Sequence, residues 1–481
     1  PDPLRSRAGD RWTLLRNTWL DDGQTMVWRF NLLYADTTTS REELEAWEAV
    51  FRAETEAPLR PLATLRTWQE SDALGINGGP VSGPLDAGAR ARKELVVWRW
   101  GKDFGPFGSW GDVKWTAQTG TPRNGPCSAE LGHAIQAEEP GLLEVLEGKA
   151  RRQALRTCHM WGLRVGSGNE IYLWNGIPLR KGERITSLEN LGRKQLYDLN
   201  LYAAYRTGVN WSWHDHGWNA YDQEHFTTDL LFDYYTVSGS FWARDELRML
   251  GQCLKGLMRL GFYFTSAVQP ARAEGWTMQS FVQCYVATGD EDLKRYALRR
   301  INEVVEPKRL RTHPSRTLTL EWDHSRTGFP SSTGFFMPWQ HAMVAYGYLG
   351  AYRFFGSKTA LRIAEDVVYT VQHSAVFGYR DPKFGFVDYG LRYYVPAMYR
   401  SAWIPASFFD RTHGVRWGDN PRGGAHAFLI GALYRIAHTT EDSLLRAFAL
   451  FHARELLGPL DPSRGKTWSR WNFPIPDALL E

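Results

Sequence analysis

A two-helix plan, repeated along the chain, constrains its fold more than any other feature. "EHFTTDLLFDYYTVSGSFWARDELRMLGQCLKGL" begins at residue 224 and "EGWTMQSFVQCYVATGDEDLKRYALRRINEVV" at 274. "MPWQHAMVAYGYLGAYRFFGSKTALRIAEDVVYTV" begins at 337 and "GGAHAFLIGALYRIAHTTEDSLLRAFALFHAREL" at 423. Each opens with an apolar, aromatic segment, turns tightly through "VSGS", "ATGD", "FFGS" or "AHTTED", and ends with a more charged amphipathic segment. A helix that is apolar on nearly every side must be buried, whereas one with a polar stripe keeps a solvated face. "CSAELGHAIQAEEPGLLEVLEGKARRQALRTCHMW" (127–161) adds a fifth pair, and a sixth is placed in "GRKQLYDLNLYAAYRTG" or in "RYYVPAMYRSAWIPASFF". Buried helices alternating with half-exposed ones predict a mainly α fold of the (α/α)6-toroid type, an inner ring inside an outer one. An open α-solenoid uses the same hairpins. Its links are short, however, and the links between these pairs are long, Gly/Pro-rich and aromatic.

The repeat divides the chain into a smaller β-containing N-terminal region (1–120), the toroid (121–460) and a C-terminal tail (461–481). In the first region Asp22-Gly23 is a hairpin signal between "RWTLLRNTWL" and "TMVWRFNLLYA". A helix is expected in "TSREELEAWEAVFRAE", where Ser40 and Glu43 make a capping box and Leu44, Trp47 and Phe51 share a face. "ELVVWRWG" reads as a strand and "GINGGPVSGPLDAGARA" as a loop.

Composition narrows the function classes. Trp 22, Tyr 21 and Phe 24 give 14% aromatics, more than a core needs, and indole faces are stacking platforms for sugar rings or bases. The cations are overwhelmingly Arg, whose planar fork grips carboxylates and stacks on aromatics. Net charge is only +4 and no long basic tract is present, which argues against nucleic acid as a partner. No apolar run approaches a membrane span. Cys127, Cys158, Cys253 and Cys284 are widely spaced without CxxC, so a structural zinc site is not expected, and thiols or disulfides both stay open.

The phrases "EH…LLFDYYTVSG…A", "EGW…CYVATGDEDL" and "PWQ…YGYLGAYRFFGS", with "FGPFGSWGDVKW…GTPRNGP" upstream, resemble the α/α-toroid polysaccharide lyases. The likeness runs over roughly 104–460 and is nearest to the exo-acting rhamnogalacturonan lyases and their relatives. Similar phrases occur in unsaturated glucuronyl hydrolases and other toroidal glycosidases. The resemblance implies a carbohydrate-active enzyme that cleaves an acidic, uronate-containing glycan by β-elimination. It also implies a secreted or periplasmic location.

In such a ring the loops leading into the inner helices converge at one mouth. The richest of them is "GVNWSWHDHGWNAYDQEHFTTDLLFDYYTVSG" (208–239). It supplies His214, His216, Tyr221, Glu224 and His225 as candidate catalytic groups. Arg123, Asn124, Asn219, Trp276, Trp339, His341 and His426 are candidate substrate-binding groups, with Glu274 and Arg422 at equivalent positions. The plainer alternative is that His225 caps its own helix and that His341 and His426 are satisfied core histidines.

Three chemistries fit these residue types. In β-elimination a Tyr or His base removes the proton beside a carboxylate while Arg or Asn neutralises the developing charge. Glycoside hydrolysis needs two carboxyl groups, drawn from Asp112, Asp222, Glu224, Glu321 and Asp323. A metal site is the third reading. No cofactor is required by the first two, but His214 and His216 with Asp222 or His225 have the donors for zinc or manganese, and Asp215 or Asp222 for calcium. A glycan-binding protein without catalysis would need only the aromatics and arginines.

Overall fold

The computed structural model describes residues 6–8, 11–13, 35–56, 62–71, 127–154, 163–164, 170–172, 178–180, 227–258, 260, 271–322, 329–381, 385–404, 426 and 428–457. The protein is mainly α-helical.

The N-terminal elements are a short hairpin of β1 (Ser6–Ala8) and β2 (Arg11–Thr13), then α1 (Arg41–Glu56) and α2 (Leu65–Glu70). The capping box forms as expected. The Ser40 N–H donates to Glu43 Oε2 at 2.8 Å and the Glu43 N–H donates back to Ser40 Oγ at 3.2 Å. The Asp22-Gly23 turn and the "ELVVWRWG" strand lie outside the described residues.

Five helical hairpins follow among the described residues. They are α3 (Ala129–Ala137) with α4 (Leu143–Ala154), α5 (Asp229–Ser238) with α6 (Phe241–Leu257), and α7 (Ala271–Thr288) with α8 (Glu291–Arg299). After them come α9 (His341–Phe355) with α10 (Lys358–Ser374), and α11 (Phe428–Thr439) with α12 (Ser443–Leu457). The strands, in chain order, are β3 (Leu163–Arg164), β4 (Glu170–Tyr172) and β5 (Pro178–Arg180), then β6 (Thr333–Phe336) ahead of α9. Between α10 and α11 lie β7 (Ala375–Asp381), β8 (Gly385–Leu391), β9 (Val395–Tyr399) and β10 (Ala402–Trp403).

The hairpin turns explain why the repeat is so regular. Gly239, Gly289 and Gly356 end α5, α7 and α9 at φ 63°, 68° and 72°, the left-handed conformation that glycine adopts without a Cβ penalty. The next residue starts the outer helix: Asp290 accepts from the Asp292 and Leu293 N–H groups, and Ser357 accepts from the Ala360 N–H at 3.1 Å. One residue thus stops the inner helix and its neighbour starts the outer one.

The first helix of each later pair forms the inner layer. α7 and α9 are buried on nearly every side, α5 through its first half and α11 along most of its length. These inner helices run parallel. At one end the Arg272 N–H donates to Gln340 Oε1 at 3.3 Å, and at the other the Tyr285 and Phe355 rings lie 5.4 Å apart. Side-chain amides cross-tie α4, α5 and α7. Gln153 donates to Thr227 Oγ1 at 3.1 Å and accepts from the Leu231 N–H at 3.0 Å, while Gln283 donates to Asp229 Oδ1 at 2.7 Å. Buried amides satisfied in this way fix helix register as well as adding stability. Each fully buried Leu, Ile or Phe of the shared core adds roughly 1.5–3 kcal/mol of transfer free energy.

The links at the other end are long and carry the strands. β6 pairs antiparallel with β9, and β9 with β10, so the chain just ahead of α9 is stitched to the chain returning after α10. This corrects one expectation: of the two places for a sixth hairpin, the described part of "RYYVPAMYRSAWIPASFF" is strand, not helix. β9 is the middle strand of the three, and Pro396 is tolerated because it lies beside the register shift at Gly334/Phe335 and before the residues that β10 pairs. The other place, 192–208, lies outside the described residues, as does any contact closing the array into a ring.

Candidate active site

The N-terminal ends of α7, α9 and α11 meet at one point. α9 is led in by a 3-10 turn, Pro338–Gln340, in which proline presets the backbone and lacks the donor that would go unused there. This turn sets Trp339 between its neighbours. The Arg272 guanidinium lies 6.0 Å over its ring, and Phe428 and Tyr393 each lie 6.1 Å from it. Tyr393 in turn touches His426 at 6.0 Å and Tyr394 at 4.8 Å. Tyr394 rests on Phe335 of β6 at 5.7 Å, so the β6–β9 pairing holds both tyrosines beside the helix ends.

Two polar groups in this cluster have no hydrogen-bond partner. His426 is 2% exposed, and neither ring nitrogen is bonded. Trp339 is 8% exposed, and its indole N–H likewise lacks an acceptor. Buried polar groups are nearly always paired, so these atoms are open to a bond from a ligand or water. Burial lowers the His426 pKa to about 4. The ring is therefore neutral at pH 7 and has a lone pair to accept a proton. Three helix N-termini add their partial positive charges to Arg272, a combination that favours an anion.

Of the residues expected at the mouth, Trp339 and His426 share this cluster. His341 stands beside it with both nitrogens occupied: Nδ1–H donates to the Met337 carbonyl at 3.1 Å, and Nε2 accepts from the Leu318 N–H at 3.3 Å and lies 2.8 Å from Thr317 Oγ1. Its ring pins the segment before α9 to the 317–318 segment. Trp276 is buried near the start of α7. Glu274 turns away from the mouth and is fully buried in a two-pronged pair with Arg300, at 2.8 and 2.7 Å. Glu321 pairs its backbone with Phe335 at the edge of the β6 sheet.

Arg123, Asn124, His214, His216, Asn219, Tyr221, Glu224 and His225 lie outside the described residues, as do Asp112, Asp215, Asp222, Asp323 and Arg422. Among the described residues, no group of three His, Cys, Asp or Glu side chains could hold a metal ion, and no helix is long and apolar enough to cross a membrane. Cys127 and Cys284 are buried free thiols.

Sequence reasoning missed Arg272, Tyr393 and Tyr394. Arg272 had a signal, since it stands two positions ahead of Glu274 in a segment already placed at the mouth. The tyrosines had none, because their position depends on a strand pairing between segments about 60 residues apart.

No protein family and no curated protein matches the chain by sequence. Two solved structures share part of its outline. One is unsaturated glucuronyl hydrolase from Streptococcus agalactiae, at 11% identity and a TM-score of 0.31, covering 66% of this chain and 79% of that one. The other is a variant of that enzyme in complex with dGlcA-GalNAc6S, at 13% identity with the same coverage and TM-score. At this TM-score neither similarity assigns a fold family or an activity to the chain.

Proposed function

We propose that the protein is an enzyme that cleaves an acidic, uronate-containing glycan by β-elimination. The observation that carries this reading is the partnerless, neutral His426 against Tyr393, beside an Arg272–Trp339 stack at three converging helix ends. The Trp339 and Tyr393 rings offer apolar faces to a pyranose. Arg272 and the helix ends offer positive charge to its carboxylate. His426 accepts the proton on the carbon next to that carboxylate. A carboxylate bound nearby raises the affinity of this imidazole for the proton, offsetting the effect of burial. The electron pair left on carbon forms the new double bond as the bond to the leaving oxygen breaks, and Tyr393 supplies the proton which that oxygen takes up. The His214–His225 segment leads into α5 and would complete the same mouth.

The test is a panel of uronate polymers assayed for the ultraviolet absorbance of a conjugated double bond and, separately, for reducing ends. Unsaturated product, lost by about 10²–10⁴ in His426→Ala with the fold intact, supports elimination. Reducing ends without that absorbance assign hydrolysis instead. Binding without either product leaves a glycan-binding protein.

A further inference from the structure

Outside the aromatic cluster, the face between the third and fourth outer helices carries four guanidiniums on two carboxylates. Arg309 sits between them, with Nε 2.9 Å from Glu306 and Nη1 on Asp366. Arg311 also pairs with Glu306, and Arg362 approaches it at 3.8 Å. Arg316 reaches Asp366 at 3.5 Å and lies on the Tyr369 ring, 3.8 Å from its centre. The carboxylates are largely enclosed, but the Arg311, Arg362 and Arg316 side chains are 54%, 52% and 43% exposed. Two carboxylates cannot neutralise four guanidiniums, and exposed Lys308 adds further charge. In a chain of net charge +4, this is a large local surplus.

The cluster is continuous with the mouth. Arg316 is followed by Thr317, whose hydroxyl lies 2.8 Å from His341 Nε2 at the start of α9. Arg362 lies twelve residues before the end of α10, roughly 18 Å along the helix axis. Positive charge therefore runs from the rim down the outer wall.

We propose that Arg311, Arg316 and Arg362 form a second binding track for the acidic glycan, outside the mouth. The identity of the glycan rests on the reading above; the track itself rests on its charge. Glu306, Asp366 and Tyr369 hold the guanidiniums in place before any ligand arrives, so little side-chain freedom is lost on binding. A polyuronate, with a carboxylate on successive residues, can meet several of these forks at once, which a short oligosaccharide held in the mouth cannot.

The experiment is electrophoresis of the protein through gels containing polygalacturonate, with salt as a variable. The expected result is retardation of the parent protein that weakens roughly five- to tenfold in the triple variant Arg311→Gln/Arg316→Gln/Arg362→Gln and fades with salt. Turnover of a short uronate oligosaccharide should not change. Arg316→Lys, which keeps the charge and loses the fork and stack, should retain part of the retardation and guards against a folding artefact. Equal retardation of parent and triple variant overturns the proposal, as does preference for double-stranded DNA over polygalacturonate. Retardation is read without turnover. A protein that holds polygalacturonate yet releases neither unsaturated product nor reducing ends refutes the catalytic reading and leaves the track standing.

Discussion

Gly275 and Gly347 meet where α7 packs on α9, and they bring the two backbones into direct contact. A β-carbon at Gly275 would fall 2.2 Å from the Met343 carbonyl carbon, and one at Gly347 would fall 2.3 Å from the Gly275 carbonyl oxygen. Backbone cannot yield as a side chain can. Gly275→Ala and Gly347→Ala are each expected to cost about 3 kcal/mol or more, measured by urea unfolding. Gly251→Ala is the control. Its new methyl meets the end of the Leu293 side chain at 2.8 Å, which can rotate, so the loss should be clearly smaller.

The Glu274–Arg300 pair ties α7 to the π-helical turn Arg300–Val305 that continues α8. Breaking a fully buried pair leaves one charge without water or partner. Arg300→Met is expected to lose about 3–5 kcal/mol, and the double variant Glu274→Gln/Arg300→Met should recover part of it. Chemical denaturation of the parent and both variants is the measurement. A double variant no more stable than Arg300→Met would show that the pair is not the source of the loss.

Acid should weaken the fold through its buried histidines. Burial lowers the pKa of His341 from 6.5 to about 4, with only its bond to Met337 opposing. In the unfolded chain this histidine takes up its proton near pH 6.5, before the folded one does, so protonation favours unfolding between those values. The contribution is complete above pH 6.5 and is lost as pH falls towards 4, on the order of 3 kcal/mol. His426 shifts in the same direction by burial alone. The urea midpoint of the parent should fall from pH 7 to pH 5, and by less in His341→Gln, which lacks the titrating ring.

On the proposed reading, Trp339 and Arg272 would bind the glycan rather than react with it. Arg272→Gln and Trp339→Ala should raise KM on uronate oligosaccharides about tenfold with a smaller fall in kcat, whereas Trp339→Phe should keep most of the affinity. His426→Ala should instead act on kcat. Steady-state kinetics on one defined oligosaccharide separates the two patterns.

The hairpins were legible because their signals are local. Apolar periodicity, a left-handed glycine and a following Ser or Asp cap all lie within a few residues, as in Gly289-Asp290 or Gly356-Ser357. The Ser40–Glu43 box was legible for the same reason. The aromatic cluster was legible only where it follows the helix starts, as at Trp339 and His426. Glu274 occupies an equivalent position, yet its carboxylate faces Arg300, because helix rotation rather than sequence position decides which way a side chain points. His341 was open to both readings until Thr317, Leu318 and Met337 appeared around its ring. Thr317 and Leu318, like the strand pairing that delivers Tyr393, lie on another segment, and no local pattern announces them.

The two-residue turns Gly239-Ser240, Gly289-Asp290 and Gly356-Ser357 make the molecule polar in a practical sense. One end carries these short turns, and the longer described links with their paired strands β6 and β9 lie at the other. A fluorophore, a surface tether or a small inserted domain attached at the turns would sit a full helix length from Trp339 and His426. An insertion at the other end would instead fall in the links that hold Trp339, Tyr393 and His426 together.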